Sequence, residues 1–276
     1  MNYKRSMAEN KFILPDGNVL ISFSGGRTSG FMLHKILEAN GDLPDRAKVV
    51  FANTGREMPQ TLDFVQECSD RWNVPITWLE YTQHKPKFEI VSHNAASRNG
   101  EPFEQAIRKK ASDRFLPNQA IRYCTQEMKV LTIKRYLVRN GWKKWFNTVG
   151  IRKDESHRIK PSKDKRWENW FPLAAAEMTV HDVNKFWSNN EFDLQVMKGA
   201  GNCDGCFLKS EAQLAAMWRE HPDRMQWWAD LEIRIGSTFH KGRSYKELGD
   251  FVEKQGSFIF DDEAYLCQQN FGECTG

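Results

Sequence analysis

The chain has 276 residues, 40% apolar and 28% charged, with a formal charge of +4. This composition excludes a disordered or fibrous chain and suffices for one large domain or a domain with an appendage. The small positive balance fits a phosphate-rich ligand without by itself arguing for nucleic-acid binding. No apolar run approaches membrane-span length, and the first ten residues carry basic groups with no apolar stretch behind them. Neither signal nor anchor is therefore expected, no membrane partner is expected, and a cytoplasmic address is the default.

Strand and helix alternate through the first eighty residues. Residues 18–23, NVLISF, form a short β-branched apolar run, which predicts a buried strand. After a glycine loop, residues 31–37 place Met32, Leu33, Ile36 and Leu37 on one helical face, and Gly41 is a stop signal. A second strand is predicted over 48–53. Pro59 opens a helix with Leu62, Val65, Cys68 and Trp72 at one-turn intervals, and a third strand follows over 75–81. Such alternation predicts an α/β fold with a mainly parallel central sheet and flanking helices. Ligands of such sheets bind beyond the carboxyl ends of the strands.

Further along, residues 84–117 read as polar and broken, an insertion or mobile segment. Residues 126–140 read as one helix and 146–150 as a strand reaching a turn. Helices are expected from Thr179 onward, including 212–218. The division expected is a nucleotide-binding α/β domain over 1–200 and a helical C-terminal portion carrying cysteines over 201–276. Tryptophans between Trp142 and Trp187 are interleaved with Lys and Arg. They suit core packing with amphipathic surface cover, or a stacking surface for bases.

The loop after the first strand is Ser24-Gly25-Gly26-Arg27-Thr28-Ser29. Paired glycines let the backbone turn sharply and bring N–H groups close to an anion, and the following helix points its positive end there. Ser24, Thr28 and Ser29 add hydroxyls, and Arg27 adds charge. The loop does not end in Gly-Lys-Ser/Thr, so it is not a Walker loop. The same residues also make a plain capped turn. Farther along, Lys129, Arg152 and Arg158 offer fixed positive charge for phosphate or sulfate oxygens, Arg152 foremost, and each also suits an ordinary surface or ion-pair role. Glu57 and Asp154 suit a metal, ribose hydroxyls or salt bridges.

These segments together resemble adenine-nucleotide α-hydrolases of the pyrophosphate-loop superfamily, in the branch containing phosphoadenosine phosphosulfate (PAPS) reductases. Ser24–Ser29 is similar to the pyrophosphate loop. Phe51-Ala52-Asn53-Thr54-Gly55-Arg56-Glu57 looks like the second-strand nucleotide segment. Arg122-Tyr123-Cys124-Thr125 with Lys129 resembles the central Arg-x-Cys element. Val149-Gly150-Ile151-Arg152, followed by Arg158, resembles the Gly-Ile-Arg phosphate turn. Thr28 stands where an acidic residue is common, as in many phage and prophage relatives, so the likeness is to phage-type members. The resemblance implies an enzyme that binds ATP or PAPS, with Mg2+ as a companion of the phosphates. Asn53, Thr54, Gly55 and Gly150 join the loop residues as expected nucleotide contacts.

Six cysteines occupy 68, 124, 203, 206, 267 and 274. In a reducing cytosol such clustering points to metal or redox chemistry. Cys203-Asp204-Gly205-Cys206 is a Cys-x-x-Cys turn whose spacing serves zinc, iron–sulfur and dithiol sites alike. Cys124 is the leading third ligand. The resemblance implies a [4Fe-4S] cluster on Cys124, Cys203 and Cys206, with Cys274, Cys267 or an exogenous group as the fourth ligand. A structural zinc or buried free thiols remain alternatives, and Cys68 is expected in the core. The tail Glu273-Cys274-Thr275-Gly276 is partly similar to the Glu-Cys-Gly nucleophile motif of sulfonucleotide reductases. Cys274 and Arg152 are thus the candidate catalytic residues. Nucleotide-dependent sulfur transfer, with a sulfur or electron donor protein and nucleic acid as acceptor, is the first reading. Thioredoxin-coupled sulfonucleotide reduction is the second, and a non-catalytic nucleotide- or nucleic-acid-binding regulator the third. A zinc-stabilised accessory protein is a further alternative.

Overall fold

A computed structural model describes residues 10–110, 115–197, 200–201 and 203–255. Strand β1 (Val19–Phe23) leads into helix α1 (Arg27–Asn40), then β2 (Ala47–Asn53), α2 (Pro59–Arg71) and β3 (Ile76–Glu80). A short strand β4 (Glu89–Val91) and helix α3 (Glu101–Lys110) follow. A π-helical turn (Thr125–Leu131) runs into α4 (Thr132–Arg139), which leads to β5 (Trp145–Thr148), a 3₁₀ turn (Lys153–Arg158) and β6 (Trp167–Trp170). Helices α5 (Pro172–Ala175), α6 (Val180–Ser188), α7 (Glu211–Glu220), α8 (Pro222–Ile235) and α9 (Tyr245–Gln255) complete the described chain.

Among the described residues the sheet has six strands in the order β4-β3-β2-β1-β5-β6, parallel except for β4 against β3. The strand order reverses between β1 and β5, which opens a crevice at the carboxyl ends of these two strands. Alternation along β1 decides which side chain goes where. Val19, Ile21 and Phe23 join a core with α1, α2 and Trp187 of α6, whereas Leu20 packs with Val50, Leu79 and Leu137 under α4. Each large apolar side chain so buried contributes about 1.5–3 kcal/mol. A third cluster joins α3, α7, α8 and α9 to Met58, Tyr81 and Met128, so the C-terminal helices sit against the strand-end loops.

The early strands and helices fall where the periodicity puts them, and Gly41 caps α1 with φ +69°. Three expectations need correction. Residues 84–117 are not simply an insertion, because they contain β4 and α3, with Phe103, Ala106 and Ile107 buried at helical spacing. The predicted helix over 126–140 is two segments. Thr132 Oγ1 donates to the carbonyl of Glu127 (2.8 Å), five residues back, at the junction of the two. Strand β6 went unrecognised within the tryptophan-rich stretch. There Trp142, Trp145 and Trp187 are buried, as core packing requires. Cys68 is buried on α2, and burial pushes its thiol well above the ordinary range.

Candidate functional site

The glycine loop begins where β1 ends. Gly25 has φ +81°, and a Cβ there would lie 2.8 Å from Thr61 Cγ2 and 3.2 Å from the Phe51 ring. Only glycine fits both the turn and the packing. Helix α1 starts at Arg27, a turn earlier than its apolar face suggests, because Ser29 closes the turn. Its hydroxyl accepts from Gly26 N–H (3.2 Å) and donates to the Gly26 carbonyl (2.8 Å), while Ser24 Oγ donates to Ser29 Oγ (3.0 Å). The helix N-terminus thereby faces the crevice with two hydroxyls beside it. Arg27 turns elsewhere: its Nε donates to Asp193 Oδ1 at 2.7 Å, and its carbonyl accepts from Trp187 Nε1.

Ser24, Ser29, Lys129 and Gly150 line one pocket at the switch point, over a floor of Leu20, Val50 and Ala52. Ser22, Asn147, Lys134, Trp145 and Trp167 form further parts of its wall. An apolar floor walled by hydroxyls, an amide and two lysines suits an aromatic base with attached phosphates. Among its described lining residues there is no carboxylate.

The Gly-Ile-Arg turn packs directly on the loop. Arg152 is buried and donates from Nη1 to Thr28 Oγ1 (3.0 Å). Its remaining guanidinium edge meets Asp154 Oδ2 (3.1 Å) and Glu155 Oε2 (3.3 Å), and Arg158 also pairs with Glu155. Arg152 and Arg158 therefore brace the loop through a carboxylate network, and Asp154 is salt-bridged within it. Gly150 brings the turn within 3.5 Å of Thr28 Cγ2, measured from the Cβ it lacks.

The second-strand segment has an architectural part and a connecting part. Asn53 is fully buried; its amide donates to Glu80 Oε1 (2.6 Å) and the Ser97 carbonyl (2.9 Å), and its oxygen accepts from Gly55 N–H. Burial lifts the Glu80 carboxyl above its usual value, against the bonds from Ser97 and Asn53. Gly55, at φ +79°, lies against Gly100 and Pro102. Thr54 donates its hydroxyl to Glu57 Oε2 (2.8 Å) and stands 3.1 Å from Cys203 Sγ. Glu57 Oε1 is buried without a hydrogen-bond partner, 3.7 Å from Lys129 Nζ.

Here the cysteine turn docks. Glu57 and Cys203 form an isolated antiparallel bridge, and Asp204 N–H donates to the Arg56 carbonyl (2.8 Å). Asp204, wholly buried, binds Arg56 Nη2 (2.8 Å), Arg224 and Trp228 Nε1 (2.6 Å). Arg56 also lies over the Trp227 ring, 4.5 Å from its centroid. Gly205 is obligatory, since a Cβ would come within 2.4 Å of the Trp228 indole. Sequence spacing gave no signal for Arg56, Arg224, Trp227 or Trp228 as the clamp on this turn.

Cys124, Cys203 and Cys206 line one small pocket together with Thr54, Arg122 and Lys129. Burial raises the Cys203 thiol well above its ordinary pKa, Glu57 adds to the rise, and Lys129 opposes it. Three sulfurs and two cations around one cavity are a donor set suited by chemistry to a thiolate-bound metal or cluster. Among the described residues, no three His, Cys, Asp or Glu side chains already stand in a metal-binding group. Cys267 and Cys274 lie outside the described residues. Lys129, carried by the π-helical turn, lines both this pocket and the switch-point pocket. Such turns recur at functional sites because they displace a side chain from the regular helical course.

A mainly parallel sheet with a glycine loop at its switch point defines an α/β fold of the nucleotide-binding type. The family model described as the phosphoadenosine phosphosulfate reductase domain matches residues 18–254, and the chain belongs to that family. The chain is similar to an uncharacterized nin region protein of Escherichia phage lambda, 28% identical over 91% of this chain and 85% of the phage protein. It is also similar to an uncharacterized protein of Methanocaldococcus jannaschii, 27% identical over 56% of this chain and 28% of that protein. The phage likeness agrees with the phage-type character of the loop. No described helix is long and apolar enough to cross a membrane.

Proposed function

We propose that this protein is an enzyme that binds an adenine nucleotide, ATP or PAPS, at the switch-point pocket and uses it for sulfur transfer at the adjoining cysteine pocket. The observation that carries the reading is Lys129, which lines both pockets. In this reading Ser24, Ser29 and the α1 N-terminus cradle phosphate oxygens, with Thr28 held in place by Arg152. Lys129 holds negative charge on the phosphates at the end facing the cysteines. With no carboxylate in the described pocket lining, Mg2+ would enter on the nucleotide's own phosphates.

Cys124, Cys203 and Cys206 would hold a [4Fe-4S] cluster, with Cys274, Cys267 or an exogenous group completing its ligands. When bound, such a cluster supplies a redox-active iron site at which sulfur is handled. Arg122 and Lys129 would offset the negative charge that thiolates and cluster bring into the pocket. A second reading, thioredoxin-coupled reduction of a sulfonucleotide with Cys274 as nucleophile, is favoured by the family description and by Glu273-Cys274 in the tail.

The test is oxygen-free purification with iron, acid-labile sulfide and zinc analysis, followed by assays with ATP plus a sulfur donor and with PAPS plus thioredoxin. The proposal expects about four irons and four sulfides per chain, with pyrophosphate released only from ATP. Metal-free protein that releases sulfite from PAPS, and loses this in Cys274→Ser, would replace it with the reductase. Zinc without iron and no turnover of either nucleotide would make the protein an accessory or regulatory one.

A further inference from the structure

Positive charge is unevenly placed in this chain. Residues 143–166 hold nine Lys and Arg against three Asp and Glu, a surplus larger than the +4 of the entire sequence. Part of that charge is used in ion pairs, by Arg152 and Arg158 on Asp154 and Glu155 and by Lys153 on Glu177. Six residues are not so used. Lys143, Lys144, Lys160, Lys163, Lys165 and Arg166 are all exposed, and none forms an ion pair among the described residues.

The fold arranges these six cations along one path. The connection from β5 to β6 returns from the carboxyl end of the sheet to the amino end, because the two strands are parallel. Lys160, Lys163, Lys165 and Arg166 follow that return, and Lys143 and Lys144 enter β5 beside its foot, where Trp145 pairs with Trp167. The connection is fastened inward. Asp164 binds Lys134 of α4, Asn169 Nδ2 donates to the Lys160 carbonyl (3.1 Å), and Trp145 N–H donates to the Arg166 carbonyl (3.0 Å). Its backbone is thus held while its cations point to solvent. Trp167, half-buried and stacked on Trp145 with centroids 5.3 Å apart, is also a wall of the nucleotide pocket.

We propose that this basic connection is a docking surface for single-stranded nucleic acid, with backbone phosphates on the six cations and a base reaching toward Trp167. A run of unpaired cations ending at an indole matches the combination of electrostatic groove and stacking platform that single strands need. The inference does not rest on the metal or on the reaction proposed above, so either can fail alone.

The test is fluorescence anisotropy with a labelled mixed-sequence single strand of twenty nucleotides, beside the corresponding duplex and vesicles rich in anionic lipid. Single-strand binding is expected, with a slope of log affinity against log salt of about −4 for six phosphate contacts. The combined variant Lys143→Glu, Lys144→Glu, Lys163→Glu, Lys165→Glu should lose about a hundredfold or more in affinity, with its melting temperature and ATP affinity unchanged. Charge reversal at the exposed Arg219 on α7 should leave oligonucleotide affinity as it was, and Trp167→Ala should weaken the binding that persists at high salt. No binding at low salt, equal loss from Arg219→Glu, or binding to duplex or vesicles as tight as to the single strand would each overturn the proposal.

Discussion

The glycine loop and the cysteine turn lie near the same end of the sheet, yet different forces hold them. The turn of the loop is local: one positive-φ glycine, one serine closing the helix start and the strand before it set its course within a few residues, and Arg152 and Asp193 brace it from outside through Thr28 and Arg27. The cysteine turn is remote. Asp204 holds it through Arg56, 148 residues earlier in sequence, and through Arg224 and Trp228 on α8. A locally encoded turn keeps its course when a distant brace is changed, whereas a clamp of buried charges depends on every member.

That contrast predicts the largest effect at Asp204. Asp204→Ala leaves the Arg56 guanidinium buried without its carboxylate and should cost about 3–5 kcal/mol of stability, read by denaturant unfolding, and should release any metal on Cys203 and Cys206. A loss below about 1 kcal/mol would mean that the turn is not held by this clamp. At the loop, Gly25→Val should lower ATP affinity by about a hundredfold or more, equivalent to about 2.7 kcal/mol. Since a Cβ there meets Thr61 and Phe51, some stability should go as well. Calorimetric titration and thermal melting separate the two effects.

Lys129 sharpens the comparison because it belongs to both sites. Lys129→Ala should weaken nucleotide binding by about tenfold, the usual scale for one charge-assisted phosphate contact, and Lys129→Arg should restore part of it. The smallest effect expected is one of pH. Burial raises the folded-state pKa of Glu80 above its unfolded value, so the fold favours the protonated form and loses stability as pH rises from the unfolded pKa through the folded one. Glu80→Gln should flatten that slope above the ordinary carboxylate range in denaturation midpoints, whatever its effect on absolute stability.

How much of this was legible in the sequence follows the same division. Residues 18–81 showed their strands and helices because short apolar runs and one-turn spacing survive in a parallel sheet covered by helices. The loop was legible because its chemistry is contiguous. Cys124, Cys203 and Cys206 were grouped in advance, and the fold brings them to one pocket. The clamp on Asp204 was not legible, since ion pairs across 148 residues leave no local pattern. Arg27, Arg152 and Arg158 looked alike as phosphate ligands in sequence. Their carboxylate partners, Asp193, Asp154 and Glu155, became visible only once the chain was folded. Helix α3 did carry a signal in Phe103, Ala106 and Ile107, obscured by the polar residues around it.

The central claim is that an adenine nucleotide occupies the switch-point pocket against Ser24, Ser29 and Lys129. Its most direct test is isothermal titration of ATP and of PAPS into the wild-type protein, Gly25→Val and Lys129→Ala. The account predicts one site per chain for at least one of the nucleotides, lost in Gly25→Val and weakened in Lys129→Ala. Binding with unchanged affinity in both folded variants would place the nucleotide elsewhere and contradict it.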